Sequence, residues 1–313
     1  MIRFGLCCLF VEAPVRFRTA TASSLSSLSR RKALEKLSGL CLANSENLNL
    51  ALKAVSGLGF GAFRISSGLF PLFTHPAAGY GIDDLPDAGK IKGALGKACC
   101  FAAKNDIRLS FHPDQFVVLS SHRDNVVANS AKELEYHGML AELVGAEVIN
   151  IHLGGRHGGK KDAIERFRRN FQKLPESVRR KLALENDDVS YTPSDLYELC
   201  MGLSLPMVYD VHHHRCNPDG LSIGDATGLC IDSWKKAGRE PYFHISSPKN
   251  LWKKGNPRSH SDYIDPADFP ACWLKLKRNF TLDVEAKAKE LAVLRLMKGI
   301  HGHGEPRAGR ENK

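Results

Sequence analysis

One local pattern repeats along nearly the whole chain. A short run of apolar, β-branched and aromatic residues is followed by a longer stretch with apolar residues at helical spacing. Runs that fit strands lie at Ile2–Phe10, Phe60–Ser66, Ile107–His112, Glu147–Leu153, Lys181–Glu185, Pro206–His212, Pro241–Ile245 and Phe280–Glu285. Helical stretches follow them in turn at Ser45–Leu58, Asp87–Asn105, Asp124–Val144, Asp162–Leu174, Pro193–Met201, Leu221–Lys236, Pro266–Leu276 and Ala286–Met297. Strict alternation of this kind demands a parallel sheet, because parallel neighbours are joined only by a crossover. Eight repeats are enough to close that sheet, so we expect a single (β/α)8 barrel, a TIM barrel, over residues 1–297.

Two segments stand outside the repeat. Pro14–Leu40 is Ser-rich and basic and reads as an extended, at best partly ordered connection after the first strand. The stretch from about Lys298 to the end carries Gly, Pro and charge without an apolar face, and a flexible tail is expected there. The opening "MIRFGLCCLFVEAPV" has a short apolar run but no clear small-residue cleavage site, so it reads as a buried strand. Nothing approaches the roughly 18 apolar residues of a membrane span. Nine cysteines, odd in number and without C-x-x-C spacing, suggest reduced, mostly buried thiols in a cytoplasm. Lys+Arg 44 against Asp+Glu 34 gives a net charge of +10, which suits a polyanionic partner.

Where the polar residues fall matters more than how many there are. In a parallel barrel the chemistry sits at the carboxyl ends of the strands. The third strand ends at His112, the fourth at His152 and the fifth at Glu185. The sixth ends in Asp210 and the row His212, His213, His214, the seventh carries His244 and the eighth ends at Glu285, while His260 follows in the loop after the seventh. A lone strand-end histidine is usually a satisfied core or capping residue. Six successive strands ending this way would instead point their side chains into one bowl, where bare carboxylates repel and divalent cations would neutralise them. Mixed His and carboxylate donors suit Zn2+, Mn2+ or Fe2+ better than Ca2+ or Mg2+. Two or three ions are expected, the arrangement used to cleave phosphoesters.

The segments "FRISSGLFPLFTHP", "SFHPDQFVVL", "NIHLGG", "LALENDD", "YDVHHHRCNP", "FHISSPK" and "LDVEAKAKE", taken in order, resemble the UV damage endonucleases, DNA-repair barrels similar to endonuclease IV and xylose isomerase. The resemblance runs from Ile2 to about Glu290. It implies incision of damaged duplex DNA immediately 5′ to cyclobutane pyrimidine dimers, 6-4 photoproducts or abasic sites, by water activated on a cluster of Mn2+ ions, with Zn2+ or Co2+ as alternatives. Carried over residue by residue, His112, His152 and Glu185 would hold one ion. Glu185, Asp210, His244 and Glu285 would hold a second, and His213 and His260 a third. Glu185 as the bridging carboxylate and His75 of "FTHP" are the expected catalytic residues. Gln115 and Phe116 match the pair that probes the lesion from within the duplex. Arg156, Lys160, Lys161, Lys249, Lys253, Lys254 and Arg258 lie in loops beside the ligand-bearing strand ends and are expected to hold DNA phosphates. "GGRHGGKK" lacks the spacing of a P-loop, so no NTP is expected, nor is a membrane or an obligate protein partner.

Two positions depart from the family pattern: Tyr242 stands where a lysine can occur, and Leu6 where a tyrosine near the lesion can occur. The rival readings are a sugar isomerase or epimerase on the same barrel, and a lesion-binding protein that has lost incision. Within "YDVHHHRCNP", strand alternation alone would pair Asp210 with His212. The resemblance picks His213, leaving His212 to pack or to orient a ligand and His214 to support a ligand or face DNA.

Overall fold

The computed structural model describes residues 1–252 and 255–302. Eight parallel strands close in sequence order, with β8 returning to β1: β1 (Ile2–Cys7), β2 (Ala62–Ile65), β3 (Arg108–Phe111), β4 (Val148–His152), β5 (Leu182–Glu185), β6 (Met207–Asp210), β7 (Tyr242–Ile245) and β8 (Phe280–Val284). The surrounding helices are α1 (Arg30–Gly57), α2 (Ala88–Lys104), α3 (Asp124–Val144), α4 (Lys160–Gln172), α5 (Glu176–Arg179), α6 (Pro193–Leu203), α7 (Val211–Cys216), α8 (Ile223–Lys236) and α9 (Glu290–Gly302). The expected barrel is therefore present. Among the described residues no helix is long and apolar enough to cross a membrane.

Alternate strand residues serve the two faces. Phe111, Tyr209 and Phe243 turn outward onto the helical jacket, Phe243 stacking on Trp273 with ring centroids 4.9 Å apart. The residues between them turn inward and are largely polar. The Ser110 and Tyr242 hydroxyls meet across the barrel at 3.0 Å, and Arg108 donates to Thr281 Oγ1 at 3.0 Å.

The connection after β1 differs most from expectation. The helix expected at Ser45 starts at Arg30, capped by Ser29, whose side chain accepts the Lys32 N–H. Ala33, Leu37, Cys41, Leu48, Leu52 and Val55 form its buried stripe, and Ser45, read as a cap, lies inside the helix donating to the Cys41 carbonyl at 2.8 Å. Serine-rich composition hid a helix whose apolar spacing was already present. The strap before it is also pinned: Asn44 donates to the carbonyls of Arg18 and Leu69, and Glu290 accepts backbone N–H groups of Val11, Glu12 and Ala13.

Smaller departures have local causes. β1 stops at Cys7, short of the expected Phe10, because Cys8 takes a left-handed backbone with φ 62°. The helix expected over Pro266–Leu276 breaks into 3-10 turns at Pro266–Asp268 and Ala271–Lys275, since Pro270 cannot continue the hydrogen-bond ladder. The last helix starts at Glu290 rather than Ala286, after Lys289 at φ 50°, and runs past Met297 to Gly302. Of the nine free thiols, Cys7, Cys41, Cys200 and Cys230 are buried and Cys100 is exposed, so burial is less general than expected. Lys253, Lys254 and the tail from residue 303 lie outside the described residues.

Candidate metal centre

Glu185, last residue of β5 and buried, is the hub of the bowl. His112 Nε2 lies 3.0 Å from its Oε2 and His244 Nδ1 2.9 Å from its Oε1. His213 Nδ1 and His152 Nε2 stand at 3.4 and 3.8 Å, and the Asn150 amide donates to Oε2. Strand register produces this convergence: His152 is opposite Glu185 across β4 and β5, and Asp210 is opposite His244 across β6 and β7. Glu285, one residue beyond β8, places Oε1 at 3.4 Å from His244 Nδ1 and Oε2 at 3.8 Å from His260 Nδ1.

The donor set fits divalent cations. Ligand atoms of His112, His152 and Glu185 lie within 4.8 Å of one another, and so do those of Glu185, Asp210 and His213. Asp210 Oδ1 caps α7 by accepting the His213 N–H at 2.8 Å, while its buried Oδ2 has no hydrogen-bond partner. Buried His152 Nδ1 is likewise unpartnered. Orphaned buried donors and acceptors are expensive and ask for an occupant. The remote ring nitrogen of His112 is anchored as a metal ligand requires, Nδ1 lying 3.1 Å from the Pro113 carbonyl, while His213 Nδ1 lies 3.0 Å from that of Asn186.

Charge is strongly coupled here without ions. Burial pushes Glu185 up, but His244, His152, His112 and His213 outweigh it and hold its carboxyl well below the usual range. Burial opposes protonation of His244, yet Glu185, Glu285 and Asp283 raise it to about 9. His213 is raised as well, against burial, by Asp210 and Glu185. Burial lowers His152, with Glu185 pulling the other way. The buried Glu185 thus favours positive charge on His244 and His213, as it would favour a cation in the same place.

α7 explains the histidine row. β6 ends at Asp210 and a helical turn begins at once, so the three imidazoles fan out about 100° apart. His213 faces Glu185. His214 turns into the jacket and is buried, bonded to the Tyr209 hydroxyl and to Asp219 Oδ1, each at 2.8 Å. His212 is buried against Trp252 and His260, ring centroids 5.0 and 5.3 Å away, and neither of its nitrogens has a hydrogen-bond partner.

The remaining candidates ring the bowl. His75 lies in the loop after β2, where its Nδ1 accepts the Ala77 and Ala78 N–H groups at 3.2 and 3.1 Å. It shares the wall of a cavity of about 620 Å3 with Gln115 and Phe116. Gln115 is exposed and Phe116 is 76% exposed, so the phenyl ring does not pack beneath its loop. Arg156, Lys161 and Lys249 are exposed; Lys160 is paired with Asp195 at 2.5 Å and Arg258 with Asp188 at 3.4 Å. Leu6 is fully buried in the core, and Tyr242 is buried with its hydroxyl on Ser110.

Sequence reasoning missed three supports. Arg64 of β2 donates to Glu285 Oε1 at 2.5 Å and helps hold that carboxyl far below its ordinary value against the effect of burial. Asn150 holds Glu185, and Asn186 brackets Asp210, its Oδ1 accepting the Asp210 N–H and its Nδ2 donating to the Asp210 carbonyl. Asn150 and Asn186 lie two and one positions from the strand-end ligands His152 and Glu185, which was the available signal; Arg64, on a strand with no ligand at its end, carried none.

Comparison with known proteins decides the relationship. The family described as UV-endonuclease UvdE matches residues 2–307. The chain belongs to the UvdE family. Among its relatives, the UV DNA damage endonuclease of Bacillus velezensis is 34% identical, over 96% of this chain and 94% of the relative. That of Bacillus thuringiensis subsp. konkukian is 32% identical, over 90% and 89%. The crystal structure of SacUVDE superposes with a TM-score of 0.84 at 29% identity, covering 98% of this chain and all of that one. Endonuclease IV from Thermus thermophilus, with a TM-score of 0.57 at 16% identity over 96% of this chain and 100% of that chain, shares the fold alone with this UvdE member.

Proposed function

We propose that this UvdE protein is a DNA-repair endonuclease that incises the phosphodiester immediately 5′ to UV photoproducts, and also at abasic sites. The observation that carries the reading is the convergence of His112, His152, Asp210, His213, His244 and Glu285 around the buried Glu185 at the mouth of the barrel. UV DNA damage endonucleases align over this whole region.

Two cations, with Mn2+ proposed, would be held by His112, His152 and Glu185, and by Glu185, Asp210, His244 and Glu285; His213 and His260 would serve a third. When bound, such ions lower the pKa of a water and stabilise the departing oxygen of a phosphoester. The chain's own residues do the rest. Glu185 would be shared by the two sites, and Arg64 orients Glu285. Gln115 and the solvent-exposed Phe116 are placed to enter a duplex whose stacking the lesion has already weakened, and His75 lies along the same wall. Arg156, Lys161 and Lys249 receive backbone phosphates, joined by Lys160 and Arg258 once their carboxylate partners release them.

The test uses end-labelled duplex carrying one thymine dimer or one abasic site, with Mn2+. A nick 5′ to the lesion that disappears in Glu185→Gln is the expected result. Binding without nicking would replace this reading with a lesion-binding protein. No affinity for DNA at moderate salt would return the chain to the sugar isomerases and epimerases that share its barrel.

A further inference from the structure

Asp283 lies in β8, within the barrel beneath the metal ligands, fully buried, and no hydrogen bond reaches either of its oxygens. A buried carboxylate without partners is costly, so its retention calls for a reason. β1 makes room for it. Gly5 stands opposite Asp283 in register, and a Cβ at Gly5 would fall 2.1 Å from Asp283 Oδ1. The group facing Asp283 is His244, whose Nε2 lies 3.8 Å from Oδ2.

His244 presents its other nitrogen to the metal centre, with Nδ1 2.9 Å from Glu185 and 3.4 Å from Glu285. His244 Nδ1 would serve as a donor to a cation held by those two carboxylates, and the single proton of the neutral imidazole would then reside on Nε2, against Asp283. For His112 the remote nitrogen is held by a backbone carbonyl; for His244 the acceptor in that direction is a carboxylate.

We infer that Asp283 is a positioning residue for the metal centre. It accepts the Nε2–H of His244, fixes the tautomer and ring plane that leave Nδ1 free, and makes Nδ1 a stronger donor to the cation. In the structure Nε2 and Oδ2 stand 3.8 Å apart, wider than a hydrogen bond, so the contact would close by a small shift of the ring onto the cation. Tyr242, where a lysine can occur in the family, is part of the same pocket, with its hydroxyl on Ser110. The inference rests on the two-cation reading proposed above.

The experiment titrates metal-free full-length protein with Mn2+ by calorimetry and with Co2+ by visible absorption, and compares Asp283→Leu and Asp283→Asn with the unmodified chain. Asp283→Leu should weaken one cation by about 10- to 100-fold, the usual cost of losing such an outer partner. Asp283→Asn, which keeps an acceptor, should recover part of the loss. The melting temperature of the metal-free protein should stay level or rise, because a costly buried carboxylate has been removed. Unchanged cation affinity in Asp283→Leu overturns the inference, as does a metal-free melting temperature that falls along with the affinity. An unmodified chain that takes up neither ion sinks the two-cation reading first and this inference with it.

Discussion

The two faces of the barrel strands obey opposite rules. Outward residues such as Phe111, Tyr209 and Phe243 are apolar and packed against the helices. Their inward neighbours Ser110, Glu185, Asp210, Tyr242, His244 and Asp283 are polar or charged and equally buried. A parallel sheet covered on both faces normally reads as continuous apolar strands, and barrel interiors are usually filled with branched aliphatic residues. Here most of the large apolar side chains face the jacket, and polar or charged groups take much of the interior. The difference teaches that this interior is destabilising on its own account and is kept for what it binds.

Substitutions that separate the two faces test that division. Glu185→Gln should lower the incision rate by about a thousandfold or more and abolish stoichiometric cation uptake. Phe243→Ala should do the reverse, costing about 3–5 kcal/mol in urea denaturation while the folded fraction binds its full complement of cations. If both variants lose stability and cations together, the two faces are not separable.

Within the interior, the histidine row offers a finer cut. His213→Ala should lose one cation or weaken it at least about tenfold, measured by metal analysis after gel filtration. His212→Ala should retain the full content, and the opposite result would make His212 the ligand. A smaller effect probes the jacket through His137. Its Nδ1–H donates to the Glu133 carbonyl at 2.7 Å and its buried Nε2 has no partner, so burial pushes it down to about 4. An unfolded histidine titrates near 6.5. The neutral folded form is thus fully favoured above about 6.5, and stability is lost as pH falls through about 4, by roughly 1 kcal/mol per pH unit between them. His137→Gln should flatten that part of the urea-midpoint profile relative to the unmodified chain.

Much of this was legible before any coordinates. The spacing of apolar runs dictated the barrel, and position at strand ends marked out His112, His152, Glu185, Asp210, His244 and Glu285 as one group. Composition misled at the first crossover, where serines masked the start of α1 at Arg30. Periodicity could not reveal Arg64, Asn150, Asn186 or Asp283 as supports, because each is defined by what a different strand sets beside it.

The sequence by itself determined which residue types stand at the ends of the strands, since that follows from chain-local spacing. Tertiary structure decided which atoms meet. Barrel closure sets β8 beside β1 and seats Asp283 against Gly5. The helical turn at Val211, not the strand pleat, sends His212, His213 and His214 in three directions, and only His213 toward Glu185. Metal donors act through distances of a few ångströms, and such distances between remote segments exist only once the sheet has closed.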